Sequence, residues 1–183
     1  ALVVATLLND CPFMLYAGQE LGERGMEVEG FSGHDGRTTI FDYWTVDSIR
    51  RAFFDRRRLR KEERELEKAY LQVLQIANNE KAIREGLSFD LMYVNPHLAQ
   101  HQYAFLRKAA TDVLFVVANF DDTPIEMGVT IPAHAFDFFG LKEKQYNAID
   151  LLTDAKSKVM LQRDGSVPVK LEPRGSVVLK LKV

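Results

Sequence analysis

Residues 12–23 read PFMLYAGQELGE, and this stretch decides the fold. Pro12 removes a backbone donor and biases Cys11 toward an extended conformation. The helix-compatible spacing of Leu2, Ala5 and Leu8 in ALVVATLLND therefore gives way before it. FMLYAG, residues 13–18, then runs without a charge. That is the pattern of a strand covered on both faces in a parallel sheet; a short buried helix shares the periodicity, and the length favours the strand. The run stops at Gly18, Gln19 and Glu20, polar groups at the carboxyl end of an apolar element. Cys11 is the one cysteine, so no internal disulfide or thiol cluster is available. Beside a buried strand its thiol is expected to be inert.

Composition bounds what surrounds this strand. A chain of 183 residues, 46% hydrophobic, has material for one domain or two small ones. A net charge of -2 and a pI near 6.1 give no electrostatic reason for a nucleic acid or an anionic membrane as partner. No run approaches the roughly 18–20 apolar residues of a membrane span. The chain begins without an initiator methionine, a basic n-region or a cleavage site, and is expected to be a piece of a longer protein. Nothing in it fixes a cellular location.

Outward from the strand, residues 21–44 carry Gly22, Gly25, Gly30, Gly33 and Gly36 among acids and aromatics, the composition of a long loop of the kind that carries function. Residues 45–86, TVDSIRRAFFDRRRLRKEERELEKAYLQVLQIANNEKAIREG, read as two helices. Leu66, Tyr70, Val73, Ala77 and Ile83 share a face, and Gly86 is the stop. The nine basic residues between Arg50 and Lys68 alternate with Asp55, Glu62, Glu63, Glu65 and Glu67, which predicts i,i+4 pairing on a solvated face rather than a polyanion-binding stripe.

After Gly86 the texture becomes short apolar runs between turns: SFDLMYVN, YAFLRKAA, DVLFVVANF, IEMGVTIP, YNAIDLLT, KVMLQ, VPVKLEP and SVVLKLKV. Seven or eight strands with turns at ANFDDTP, RDGS and EPRGS predict an antiparallel sandwich. The rings of Phe120, Phe136, Phe138 and Phe139 lie near turns or apolar runs and are expected to pack inside. No repeat of 20 to 50 residues is present. The predicted organisation is residues 1–86 as one part and residues 87–183 as an all-β domain.

This order resembles the C-terminal part of the α-amylase family of glycoside hydrolases, glycoside hydrolase family 13. The resemblance rests on YAGQELGE, on the loop EGFSGHDGRTTIFDYW and on the ending LEPRGSVVLKL, and covers essentially the whole chain. It implies an α+β fragment: the last helix, eighth strand and closing helices of a (β/α)8 barrel, followed by the antiparallel β-sandwich called domain C. A barrel strand packs against side chains inside and helices outside, and its carboxyl end opens toward the active site. An apolar strand ending in Gln19 and Glu20 fits that position.

The family's retaining mechanism uses an aspartate nucleophile and a glutamate acid/base about 5–5.5 Å apart. In family order these carboxylates, and a third that holds substrate, precede the eighth strand. They are expected upstream of Ala1, leaving no catalytic residue in this chain. His34 and Asp35 resemble the family's His-Asp pair but follow the eighth strand instead of preceding it, and read better as loop residues. Asp35 and Arg37 are the nearest equivalents of the pair that holds sugar hydroxyls away from the cleaved bond in neopullulanase-like members, two apart here rather than about four. Trp44 and Tyr43 offer rings for apolar sugar faces. The plainer alternative is that Asp35 and Arg37 pair to stiffen the loop, while Trp44 and Phe41 anchor it.

Gln19 and Glu20 either touch substrate at the barrel mouth or hydrogen-bond adjoining loops, the second being the commoner use. Glu23, Glu27, Glu29 and Asp35 are candidate calcium ligands, although their spacing matches no defined calcium loop. No metal or other cofactor is expected in the chain itself, with calcium an option for the parent enzyme. The implied function is a noncatalytic portion of an enzyme acting on α-glucosidic bonds of starch-like oligosaccharides. A stand-alone carbohydrate-binding or interaction module is the alternative. A lone barrel strand would expose two edges and two apolar faces. Residues 1–45 are therefore expected either to self-associate or to fold back onto the helices at 48–86.

Overall fold

Period-two alternation becomes a strand with one dry face wherever a partner strand and a core are both supplied. The computed structural model describes residues 1–23 and 46–182. It contains, among those residues, eight strands: β1 Leu87–Asp90, β2 Gln102–Ala109, β3 Asp112–Asn119, β4 Ile125–Ile131, β5 Lys144–Asp150, β6 Lys156–Leu161, β7 Gly165–Leu171 and β8 Ser176–Lys182. All pairings are antiparallel, in a six-stranded sheet of order β1-β2-β3-β8-β5-β6 and a two-stranded sheet β4-β7. Burial alternates cleanly along β5 and β7. It is nearly continuous along β3, which is covered on both faces.

The two faces of the large sheet bury different partners. Inside, Leu106, Phe115 and Val117 pack with Val129 and Ile131 of β4 and Val167 of β7. Outside, Phe105, Leu114, Val116 and Val178 pack under α1 Leu2–Leu7, α4 Lys81–Arg84 and the end, from Val73 on, of α3 Lys61–Asn79, through residues that include Leu7, Ile76 and Ile83. Arg107 of β2, 3% exposed, fastens this layer. Its guanidinium donates to the carbonyls of Leu8 (3.1 Å), Ala82 (3.0 Å) and Ile83 (2.5 Å), where α1 and α4 end. Gly86 stops α4 as expected, for a steric reason: a Cβ there would lie 2.2 Å from the Ala82 carbonyl oxygen and 2.7 Å from that of Lys108.

The compact units are residues 1–11 with 73–183, and residues 12–72. The outer sheet face is apolar and claims α1, α4 and the end of α3, whatever their place in the sequence.

Three expectations are corrected. SFDLMYVN is strand only to Asp90; the Asp90 carboxylate then accepts the Met92 N–H at 2.8 Å and residues Met92–Val94 form a 3-10 turn. Asn95, fully buried, follows it. Its amide donates to the carbonyls of Leu91 (2.8 Å) and Thr130 (2.9 Å) and accepts the Thr130 N–H (2.8 Å), tying the turn to β4. Second, AHAFDFF is the helix α5 Ala133–Phe139, entered from an extended Pro132 and closed by Gly140 at φ 61. It buries Phe136 and Phe139, whereas Phe138 and Phe120 are exposed. Third, residues 12–16 form no strand, Met14 is 81% exposed, and Cys11 is exposed rather than sheltered. A strand exists only as a member of a ladder, and the described residues place none beside this stretch.

Candidate functional site

Within residues 12–72, local chemistry shapes the turn that ends the opening stretch. Gly18 (φ 85) and Gly22 (φ 76) take left-handed conformations around a 3-10 turn at Gln19–Leu21. A Cβ at Gly18 would meet that of Glu23 at 2.9 Å. Gln19 donates to the Tyr70 hydroxyl of α3 at 2.9 Å and accepts the Tyr16 N–H at 3.3 Å. Its side chain thus joins turn to helix. One carboxylate oxygen of Glu20 is buried and, among the described residues, has no hydrogen-bond partner. The Glu23 carboxylate accepts the Ser48 hydroxyl at 2.8 Å, at the start of α2 Asp47–Phe54.

The strongest electrostatic feature here is Arg51 on α2 with Glu63 on α3, 7% exposed. Two guanidinium donors reach the carboxylate at 2.5 and 3.2 Å, and the Arg60 N–H adds a third bond at 2.9 Å. The Arg51 hydrogen bond outweighs desolvation and holds the Glu63 carboxyl below its usual range. The same bond raises Arg51. A carboxylate so held is no proton donor near neutral pH. Lined in part by Glu23, Asp47, Arg51 and Glu63, a cleft of about 620 Å³ opens among the described residues.

Other pairs join α3 to the segment before it: Arg56 of the 3-10 turn Arg56–Arg58 reaches Glu67 at 2.5 Å, while Lys61 to Glu65, at 3.7 Å, runs along the helix. Beside the expected i,i+4 pairs, Asp47–Arg51 at 4.0 Å and Lys61–Glu65, the charges therefore also form a clasp between α3 and the segment before it. A signal for it was present, because Glu63 lies three and seven positions before Leu66 and Tyr70 and so shares their face.

Asp35, Arg37 and Trp44 lie outside the described residues, as do His34, Phe41, Tyr43, Glu27 and Glu29. Of the candidate calcium ligands Glu23 alone is described. Among the described residues no three His, Cys, Asp or Glu side chains gather as a metal site. No described helix is long and apolar enough to cross a membrane.

In the β module a group of rings reaches the surface. Phe89, at the end of β1, has its centroid 6.2 Å from Tyr93, 5.5 Å from His134 and 5.6 Å from Phe138. Tyr93 is 59% exposed and Phe138 47%.

Comparison with known proteins bears on the β module most directly. Residues 93–182 match the family model described as alpha amylase, C-terminal all-beta domain. No curated protein matches the chain. Among solved structures, AmyP in complex with maltose aligns with 98% of this chain and 33% of its own, at 17% identity and a TM-score of 0.64. A maltogenic alpha-amylase, AmyB, from Thermotoga neapolitana aligns with 100% of this chain and 35% of its own, at 11% identity and a TM-score of 0.63. The alpha-amylase of Geobacillus thermoleovorans, complexed with acarbose, gives 100%, 33%, 15% identity and a TM-score of 0.59. At these identities the likeness is one of fold, and the chain spans about a third of the length of these structures. Residues 93–182, which carry β2 to β8, thus form a C-terminal all-beta domain of the alpha-amylase type.

Proposed function

We propose that this chain is the noncatalytic C-terminal portion of an enzyme that hydrolyses α-glucosidic bonds of starch-like oligosaccharides with retention. Residues 1–86 are, in this reading, the last helix, eighth strand and closing helices of its catalytic barrel. The match of residues 93–182 to the family's C-terminal domain carries the proposal. The docking of α1, α4 and the end of α3 on the outer sheet face supports it, since the β module then braces helical residues that precede it in the chain. Asp35, Arg37 and Trp44 contact sugar away from the cleaved bond, and the nucleophile and acid/base lie upstream of Ala1. Met14 and Leu15, exposed in the chain by itself, are covered by neighbouring strands in the parent enzyme and by self-association through residues 1–45 otherwise.

The test compares the purified chain with the longer gene product on maltoheptaose. The longer product should release reducing sugar with retained anomeric configuration, read by NMR, and the chain should release none. Turnover by the chain itself, after contaminating amylase has been excluded, overturns the noncatalytic assignment. Light scattering of the chain reports the self-association.

A further inference from the structure

The rings around Phe89 come from three elements: β1, the turn at Met92–Val94 and α5. On α5, Phe136 and Phe139 face the core, so its apolar side is satisfied without Phe138. His134 and Phe138, four residues apart, share the other side and both contact Phe89. Phe89 itself is nearly buried and acts as the floor on which Tyr93 and Phe138 rest, each about half exposed. Packing on that floor fixes the rings before anything binds, which lowers the entropy lost in binding.

We propose that this surface, formed by Tyr93, Phe138 and His134 over Phe89, binds a short run of α-glucan on the β module. The proposal rests on the reading above for the identity of the sugar. A pyranose presents C–H groups on its faces and hydroxyls at its rim. Exposed Tyr and Phe rings take the first, and the second require donors and acceptors beside them. The Tyr93 hydroxyl and the His134 imidazole supply both. So does the pair of Asp137, adjacent to Phe138, with Arg163 at 2.6 Å. Arg163 also lies 3.9 Å from Glu143, so its charge is already met by carboxylates and the rim offers an acidic polymer no free cation there, which suits a polyhydroxylated ligand without phosphate or carboxylate groups.

The experiment is electrophoresis of the full chain in native gels with and without amylose, paired with titration of maltoheptaose. Wild-type chain should be retarded by amylose. Tyr93→Ala with Phe138→Ala should abolish the retardation and weaken maltoheptaose binding by about tenfold or more. If the double variant fails to fold, as read by circular dichroism, Tyr93→Ala in the solvent-exposed turn is used instead, with a smaller loss expected. Wild-type chain that runs unretarded, or retardation unchanged in the variants, overturns the proposal. Should the chain ignore amylose while the longer product still hydrolyses maltoheptaose, this surface fails and the enzymatic reading stands. Binding by the chain without hydrolysis by the longer product gives the converse.

Discussion

Arg107 should be the most costly single side chain to remove from the outer layer. It is 3% exposed and its three donors reach three backbone carbonyls from two helices that are distant in sequence. Hydrogen bonds from a charged donor contribute about 1.5–3 kcal/mol each, while burying the guanidinium costs several kcal/mol, so the sum of three overstates the net. Truncation has a different balance. Arg107→Met retains much of the volume but strips the donor from the carbonyls of Ala82 and Ile83, both buried residues, and from that of Leu8. Each orphaned carbonyl costs about 1–3 kcal/mol, which places the loss at roughly 3–5 kcal/mol. At about 2–4 °C per kcal/mol for a chain of this size, the melting temperature should fall by roughly 6–20 °C. Arg107→Lys retains charge but not the fork, so it should lie between the two. Urea denaturation followed by circular dichroism measures the loss. Hydrogen exchange locates it: amides of α1 and α4 should exchange faster than those of β5 and β6. A Met variant within about 1 kcal/mol of wild type, with that exchange pattern unchanged, would refute the idea that this guanidinium fastens the helices.

Gly86→Ala should destabilise by about 1–3 kcal/mol in the same denaturation assay, because the new methyl meets backbone oxygens that no rotamer change can move. Asn95→Ala should cost about 2–4 kcal/mol by removing two donors and an acceptor from a fully buried junction, and calorimetry that shows no loss would contradict the role given to it. Glu63 has a depressed carboxyl pKa, so its contribution is present above the ordinary glutamate range and is lost as pH falls through the folded value. The stability gap between wild type and Glu63→Gln should therefore narrow on acidification from pH 7 to pH 3, and a gap independent of pH would dismiss the Arg51 clasp as its cause.

Legibility in the sequence followed how local each cause was. The β module was readable because period-two alternation in YNAIDLLT and VPVKLEP, with turns at RDGS and EPRGS, specifies strands and a dry face without reference to distant residues. Gly86 was readable as a stop, though its reason, two carbonyls within 3 Å of a would-be Cβ, was not. In AHAFDFF the aromatic content suggested packing residues, and the helix prevailed because it places Phe136 and Phe139 on one side and His134 and Phe138 on the other. The Arg51–Glu63 clasp was obscured by charges that also fit pairing along one helix.

What the sequence determined by itself is the all-β module, the helical segment before it and the family both resemble, since each rests on short-range pattern. Only the tertiary structure decided that α1 and α4 belong with the sheet, that Arg107 joins them, and that Tyr93 and Phe138 reach the surface together over Phe89. These depend on which residues meet across up to 99 positions of chain, as Leu8 and Arg107 do. The stretch from Phe13 to Ala17 marks the boundary between the two kinds of knowledge. Its residues favour a strand, but a strand needs a neighbour to hydrogen-bond, and the ladder rather than the sequence decides whether it forms.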